Sequence, residues 1–354
     1  MSQHSASHLW PGVPLALGSA VLFGASAPVS KLLVGTMDPW LLAGVLYLGA
    51  GVGLALIHFA RTALSLGRRE APLRRGDLPW LAAVALFGGV LGPLMLVFGL
   101  SLTSAASGSL LLNLEGLMTM SIAWLVFREN VDRRLLIGAG AILSGAVVLS
   151  WQGQDASLDT GGLLIVGACL AWGIDNNLTR KLSSADPIQI ATIKGFAAGA
   201  TNLVLALLLG AKLPAAGLLA AGGLAGFLGI GVSLVMFMLA LRHLGTARTG
   251  AYFSLAPFIG VLVSLVIFND ALTLQLVVAG ALMALGLWLH LAERHEHEHV
   301  HEALEHEHAH VHDEHHQHPH DGPVIEPHSH WHRHEPMRHT HPHYPDLHHR
   351  HGHS

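Results

Sequence analysis

Cysteine and charge are both scarce in this chain of 354 residues. The single cysteine, Cys169, lies within an apolar run, so a disulfide framework inside one chain is excluded. Only 12% of the residues are charged, against roughly 25% in soluble domains, and 51% are hydrophobic. The mean hydropathy is +0.49. This composition predicts a protein that crosses a membrane many times.

Sequence signatures of several other classes are also missing. The chain has no phosphate-binding glycine loop, nucleotide-binding motif or catalytic triad. We therefore expect neither enzymatic activity nor a required cofactor, and we favour transport driven by a gradient. The N-terminal stretch MSQHSASHLWPG lacks the basic region and the cleavage site of a secretory signal, so we expect the first hydrophobic segment to be retained.

Ten hydrophobic segments are long enough to be membrane spans, since about 20 apolar residues cross about 30 Å of hydrocarbon. They lie at about 13–33, 39–60, 79–101, 104–127, 134–151, 161–180, 187–210, 214–241, 246–268 and 272–291. The connections on one side carry twelve Lys and Arg residues, against one or two on the other side. The positive-inside rule then predicts a multi-pass protein of the inner (plasma) membrane with both termini in the cytoplasm.

An internal repeat organises these spans. The stretch that begins at Ser104 returns 141 residues later, from Gly245. Without gaps, the alignment pairs Asn113 with Ser254, Gly116 with Pro257 and Glu129 with Asp270. The first span, LALGSAVLFGASAPVSK, likewise aligns with LLIVGACLAWGIDNNLTR of the sixth. The unit has five spans, an odd number, so the second copy enters the membrane from the opposite side. Such inverted repeats alternate access around a midplane site in many secondary transporters.

Each half closes on an apolar helix, an acid (Glu129 or Asp270) and a fifth helix rich in Gly and Ala. This order resembles the EamA repeats of the drug/metabolite transporter (DMT) superfamily. The resemblance implies an all-α polytopic membrane protein with ten transmembrane helices in two inverted five-helix repeats. One departure is Gly116, where the family usually has the proline that the second copy keeps as Pro257. We divide the chain into a cytoplasmic segment (1–12), a first repeat (13–151), a second repeat (161–292) and a tail (293–354).

Ionisable groups inside the spans are candidates for a substrate cavity, because an ionised group in hydrocarbon costs several kcal/mol. Glu115 lies near the middle of the fourth span and is the first candidate; the alternative is a glutamate that is only hydrogen-bonded or kept protonated. Asp175 and Lys194 lie at comparable depth in the sixth and seventh spans, where they can pair, either as structural glue or in the substrate path. A lysine in the path favours an anionic or zwitterionic solute.

Further candidates for hydrogen bonds in the cavity are Asn176, Asn113, Tyr252 and Ser254. Glu129 and Asp270 stand at span ends. We expect them to cap the helices that follow, where a carboxylate complements free N–H groups, with gating as the alternative.

The last 60 residues hold 23 of the 28 histidines, together with 11 acids and 3 arginines. This segment has too few aliphatic residues to bury a core, and we therefore expect it to be disordered. Imidazole suits Zn, Ni or Co, and the absence of Cys from the tail favours several exchanging sites over one closed cage. The predicted ligands begin with His295, His297, His299, His301, His306, His308, His310, His312, His315 and His316.

Three functions fit these features. We favour a secondary transporter that exports a small organic solute while its tail binds metal. The alternative is an efflux transporter for divalent Ni, Co or Zn, whose tail collects the ion. The third is a membrane-anchored metal-binding or sensory protein. The expected partners are a small-molecule or ion substrate and the lipid bilayer, with a homodimer as an open alternative and no nucleic acid.

Overall fold

The computed structural model describes residues 12–64, 73–127, 133–150, 159–179, 182, 186–269 and 271–291, and four strands between residues 295 and 343. Its helices are α1 (Gly12–Val34), α2 (Pro39–Ala63), α3 (Leu78–Val84), α4 (Gly92–Leu102), α5 (Ala105–Leu111), α6 (Leu114–Phe127), α7 (Arg133–Ser150), α8 (Thr160–Thr179), α9 (Pro187–Leu208), α10 (Ala216–Gly226), α11 (Ser233–Phe253), α12 (Ala256–Phe268) and α13 (Leu274–Leu291). A 3₁₀ turn, Arg75–Asp77, precedes α3, and π-helical segments occupy Ala85–Leu91 and Phe227–Val232.

The prediction of an all-α membrane body is confirmed, and each of the ten predicted spans coincides with a helix or a run of helices. Among the described residues, six runs are long and apolar enough to cross a membrane: Gly12–Val34, Pro39–Ala63, Arg75–Leu102, Ala105–Val126, Pro187–Leu208 and Ala216–Ala240. Two further apolar helices, Ala256–Phe268 and Leu274–Leu289, are shorter.

One connection differs from the prediction. We expected a loop between the eighth and ninth spans, near residues 242–245, but α11 continues as helix from Ser233 to Phe253. In the first repeat the corresponding turn ends at Ser104, whose side chain accepts a hydrogen bond from the backbone N–H of Ser107 and so begins α5. The residue aligned with Ser104 is Gly245, which has no side chain to cap a new helix. The interruption falls instead at Ser254–Leu255.

The inverted repeat is visible in the helices themselves. Helices α7 and α13 have 18 residues each, and both π-helical segments fall in the middle of corresponding spans, the third and the eighth. Helices α2 and α9 begin in the same way, because Asp38 and Asp186 cap them and a proline follows each aspartate. Pro at the first helical position loses no hydrogen bond and already has a helical φ.

The two halves pack as a pseudo-symmetric pair. Helix α2 lies against α9 and α7 against α13, while α1 packs on α11 and α12 as α8 packs on α4 and α6. Two corresponding glycines, Gly24 and Gly173, allow close approaches in the last two of these pairings. A β-carbon at Gly24 would overlap the backbone of Ala256, and one at Gly173 would lie 3.0 Å from the Met118 Cβ. Backbones that approach this closely are typical of helix packing in membranes.

Four short strands lie within the tail. They are β1 (His295–His301), β2 (Leu304–His310), β3 (His328–His334) and β4 (Met337–His343). Strand β1 pairs antiparallel with β4, and β2 with β3. The alternation of histidine with other residues has the two-residue period of a strand, and ladder pairing satisfies backbone groups without a hydrophobic core.

Candidate substrate site

The position of Glu115 is set by a break in the fourth span. Helix α5 ends at Leu111, and α6 begins at Leu114, which places Glu115 in its first turn. The amide of Asn113 donates to the carbonyl of Leu110 at 2.8 Å and holds the turn between the two helices. The break therefore forms without a proline in α6, whereas its counterpart in the ninth span falls before Ala256 and Pro257.

Glu115 and Asn176 join α6 to α8. The Asn176 Nδ2 donates to Glu115 Oε1 at 3.0 Å and to Thr119 Oγ1 at 3.2 Å. The neighbouring Asn177 Nδ2 donates to the Thr119 carbonyl at 3.1 Å, which fixes the two helices in this register. Glu115 is half-buried and Asn176 is exposed, so a carboxylate and an amide lie together at an accessible place halfway along the fourth span.

Asp175 and Lys194 form the ion pair that the sequence predicted. The Lys194 Nζ lies 2.5 Å from Asp175 Oδ2, and the two side chains are only 12% and 7% exposed. Thr179 Oγ1 donates to the other carboxylate oxygen of Asp175 at 3.3 Å. Gly88 makes room for the pair, because a β-carbon there would overlap both the carboxylate and the ammonium group. The pair thus fills a space that the third span leaves open.

The first π-helical segment brings four spans together beside this pair. The Gly88 carbonyl accepts from the Tyr47 hydroxyl at 2.6 Å and from the Trp172 Nε1 at 3.2 Å. The Gly89 carbonyl accepts from the Asn202 Nδ2 at 3.2 Å. A π-helical turn shifts the backbone ladder and is frequent at functional sites. Here side chains from α2, α8 and α9 bind the carbonyls of the third span.

The site therefore contains two charged centres on consecutive residues of α8. Asn176 donates a hydrogen bond to Glu115 in the fourth span, and Asp175 forms an ion pair with Lys194 in the seventh. One centre offers a carboxylate with amide and hydroxyl neighbours, and the other offers an ammonium group already paired. Such an arrangement can orient a solute that carries both signs of charge. Among the residues whose side chains the structure describes, no group of three or more His, Cys, Asp or Glu could hold a metal ion.

Two of the other predicted cavity residues, Asn113 and Tyr252, have contacts outside this cluster. The Asn113 amide, besides its bond to Leu110, lies 3.8 Å from the Met283 sulfur of α13. Tyr252 packs beside Ala16 and Leu244, in the cluster between α1 and α11. Ser254 ends α11, where its backbone N–H donates to the Gly250 carbonyl.

Several other predicted residues lie outside the described part of the chain or in the tail. Glu129, Asp270, His312, His315 and His316 are outside the described residues. The remaining predicted metal ligands fall on two strands, with His295, His297, His299 and His301 on β1 and His306, His308 and His310 on β2.

Sequence reasoning missed three members of the site: Tyr47, Gly88 and Asn202. A signal was available for two of them. Tyr47 is a lone hydroxyl in the apolar run of α2, and Gly88 belongs to a glycine pair in the middle of a span. Asn202 is completely buried in α9, and nothing in the sequence indicates that it binds the Gly89 carbonyl of the third span.

An apolar groove lies apart from this site, between α2 and the α10 region. It has a volume of about 550 Å³, and Gly49, Val52, Leu56 and Phe227 are among its lining residues. Its lining offers no polar group that could orient a charged solute, so we place the candidate site at Glu115 and Lys194 instead.

Two inverted halves, a broken span in each half and a charged cluster between spans define a multi-pass helical membrane transporter. The EamA-like transporter family matches residues 10–151 and 159–292. The chain therefore belongs to this family, as the resemblance in the sequence indicated.

Two relatives are consistent with this membership, and one solved structure has the same fold. An uncharacterized transporter of Methanothermobacter thermautotrophicus is 30% identical over 215 residues, which cover 57% of this chain and 62% of the relative. The uncharacterized transporter YyaM of Bacillus subtilis is 24% identical over 204 residues, covering 55% and 64%. The chain thus spans less than two thirds of either relative. A crystal structure with 18% identity superposes with a TM-score of 0.58 over 79% of this chain and 95% of its own, which shows the fold.

Proposed function

We propose that this protein is a secondary transporter that exports a small zwitterionic or anionic organic solute across the inner membrane. One observation carries the proposal: within the spans, Glu115 binds Asn176, and the next residue of α8, Asp175, forms the ion pair with Lys194. A bare cation would be repelled by Lys194. A solute with an ammonium and a carboxylate group matches both centres.

The buried ion pair supports this substrate class energetically. Two charges removed from water cost several kcal/mol each, and their attraction offsets this cost only when the geometry is good. In our proposal a solute carboxylate shares the Lys194 ammonium with Asp175, while the solute's amino group binds Glu115. Each charge then keeps a partner throughout the cycle.

The inverted halves would alternate access to this site by rocking against each other. Spans can bend where their helices are interrupted. Such places are the breaks at Leu112–Asn113 and Ser254–Leu255 and the two π-helical segments. Both termini would lie in the cytoplasm, which would place the tail near the cytoplasmic opening of the transporter.

The second candidate is efflux of a divalent metal that the tail collects. The observation in its favour is the tail itself, whose four described strands carry fourteen histidines. Against it stands the site within the spans, where Lys194 forms an ion pair with Asp175 and would repel a metal cation.

Uptake into vesicles preloaded with unlabelled solute distinguishes the two functions. We expect counterflow of an amino acid or related zwitterion and none of Ni²⁺, Co²⁺ or Zn²⁺. Glu115→Gln should abolish it, since a neutral amide keeps the shape but not the charge. The matched control is Ser144→Ala, because Ser144 is exposed on α7 and bonds only its own helix at Gly140. Undiminished counterflow by Glu115→Gln would remove Glu115 from the site. Metal counterflow that is lost on deletion of residues 295–354 would replace the proposal with metal efflux.

A further inference from the structure

The register of the tail strands places histidine opposite histidine. In the β1–β4 ladder the facing pairs are His295 with His343, His297 with His341 and His299 with His339. In the β2–β3 ladder they are His306 with His332, His308 with His330 and His310 with His328. Every second row of each ladder is thus a pair of histidines, and these rows share one face because successive residues of a strand alternate between faces.

All fourteen histidines of the four strands belong to these faces. His301 extends the row of β1 and His334 that of β3, at positions where Met337 and Leu304 stand opposite. The acids fall at the alternate positions, with Glu296 and Glu298 in β1 and Glu305 and Glu307 in β2. Each ladder therefore has one face made mostly of histidine positions and another face of mixed polar and apolar positions.

We infer that each ladder is a cross-strand binding site for a late divalent transition metal, built from two adjacent rows of facing histidines. Directly opposed residues in an antiparallel pair have β-carbons about 4.5–5.5 Å apart. The next row on the same face follows after two residues, at about 3.4 Å per residue. Up to four imidazoles around one position are the nitrogen-only donor set that suits Zn²⁺, Ni²⁺ and Co²⁺, and not Mg²⁺ or Ca²⁺.

Metal binding also gives these strands a reason to pair. An isolated two-stranded hairpin is marginally stable in water, and the tail has few apolar residues to add. A metal that bridges facing rows adds its binding free energy to folding, as in small domains that fold only with metal. The sequence's preference for disorder and the strands of the structure then correspond to the metal-free and metal-bound tail. This inference rests on the metal-binding tail predicted from the sequence, goes beyond the proposed solute export, and adds the strand register.

The test is a Co²⁺ titration of the purified full-length transporter in detergent, carrying an affinity tag without histidine, and followed by visible absorbance. We expect two tight ions per chain, one for each ladder. A shifted variant moves two histidines of β3 to the other face without changing composition, through Ser329→His, His330→Ser, Trp331→His and His332→Trp. It should keep one tight ion and bind the second at least about tenfold more weakly.

The matched control exchanges two residues of the other face, Ser329→Arg with Arg333→Ser, and should bind like the wild type. Hydrogen exchange gives a second readout, since Co²⁺ should protect the backbone amides of residues 295–343 in the wild type and those of β2 and β3 less in the shifted variant. If the shifted variant binds two ions as tightly as the wild type, the register has no role and the inference fails. If the wild type binds no Co²⁺, the predicted metal-binding tail fails as well, whereas the proposed solute export is tested separately by counterflow.

Discussion

The Asp175–Lys194 pair allows a decisive experiment, because its two members can be removed singly and together. The single variants are Asp175→Asn and Lys194→Met, and the third protein carries both changes. Each single change leaves the other charge inside the bundle, where the wild-type side chains are 7% and 12% exposed. The double change removes both charges and keeps similar side-chain volumes.

The expected losses follow from this burial. Breaking a buried ion pair costs about 3–5 kcal/mol, because one charge remains without a partner, whereas replacing the whole pair by neutral groups is often close to neutral. Asp175 also accepts a hydrogen bond from Thr179, and both side chains of the pair are slightly exposed. We therefore expect each single variant to lose about 3 kcal/mol of unfolding free energy, the low end of this range. The double variant should lose less than about 2 kcal/mol of unfolding free energy. This loss is several kcal/mol smaller than the sum of the two single losses, and the difference is the coupling free energy of the pair.

Unfolding titrations with sodium dodecyl sulfate in mixed micelles measure these free energies, with Ser144→Ala as the reference for a neutral change. Counterflow of the transported solute is measured on the same proteins. Two results are then possible for the double variant once its stability has recovered. Recovered counterflow would show that the pair only holds α8 against α9; counterflow that stays absent would show that the solute binds the pair. Strictly additive losses of stability would refute the reasoning, since they would mean that the two charges do not interact.

Two further predictions concern the π-helical segment of the third span. Gly88→Ala should reduce the folded yield severely, because the new β-carbon would overlap Asp175 and Lys194. Gly116→Ala should be harmless, because nothing lies within 4 Å of a β-carbon there. Size-exclusion chromatography of the detergent-solubilised proteins compares the two variants, and equal yields would contradict the close packing at Gly88. Tyr47→Phe should cost only about 1 kcal/mol in the same unfolding titration, because Trp172 still donates to the Gly88 carbonyl; a loss above about 3 kcal/mol would show that Trp172 does not satisfy that carbonyl alone.

Local sequence signals were sufficient for the architecture. Apolar runs of about 20 residues, the repeat offset of 141 and the odd number of spans led to ten spans in two inverted halves, and the helices have this order. These signals survive in the sequence because hydrocarbon imposes the same demand on every span: a long apolar run with its backbone bonded internally. The continuous α11 was missed because the loss of a cap at Gly245 is a single-residue effect.

The candidate site depended much more on packing. Glu115 and the Asp175–Lys194 pair could be proposed from depth alone, since ionisable groups in spans are rare and costly. Asn113 and Tyr252 were proposed as hydrogen-bonding groups of the cavity, and their contacts in the structure are with α13 and α1. Depth along a span says nothing about which side of the helix meets which neighbour.

The sequence by itself thus determined the membrane class, the duplication, the inversion and the depth of each charged residue, because these depend on composition and on position along a single helix. Only the tertiary structure decided that Asn176 binds Glu115, that Tyr47, Trp172 and Asn202 bind the carbonyls of one π-helical turn, and that histidines face each other in the tail. Those contacts join residues up to 113 positions apart in the chain, as between Gly89 and Asn202. They exist because glycines at Gly88 and Gly173 let the helices approach, and the partners of such an approach are fixed by the packing of the whole bundle.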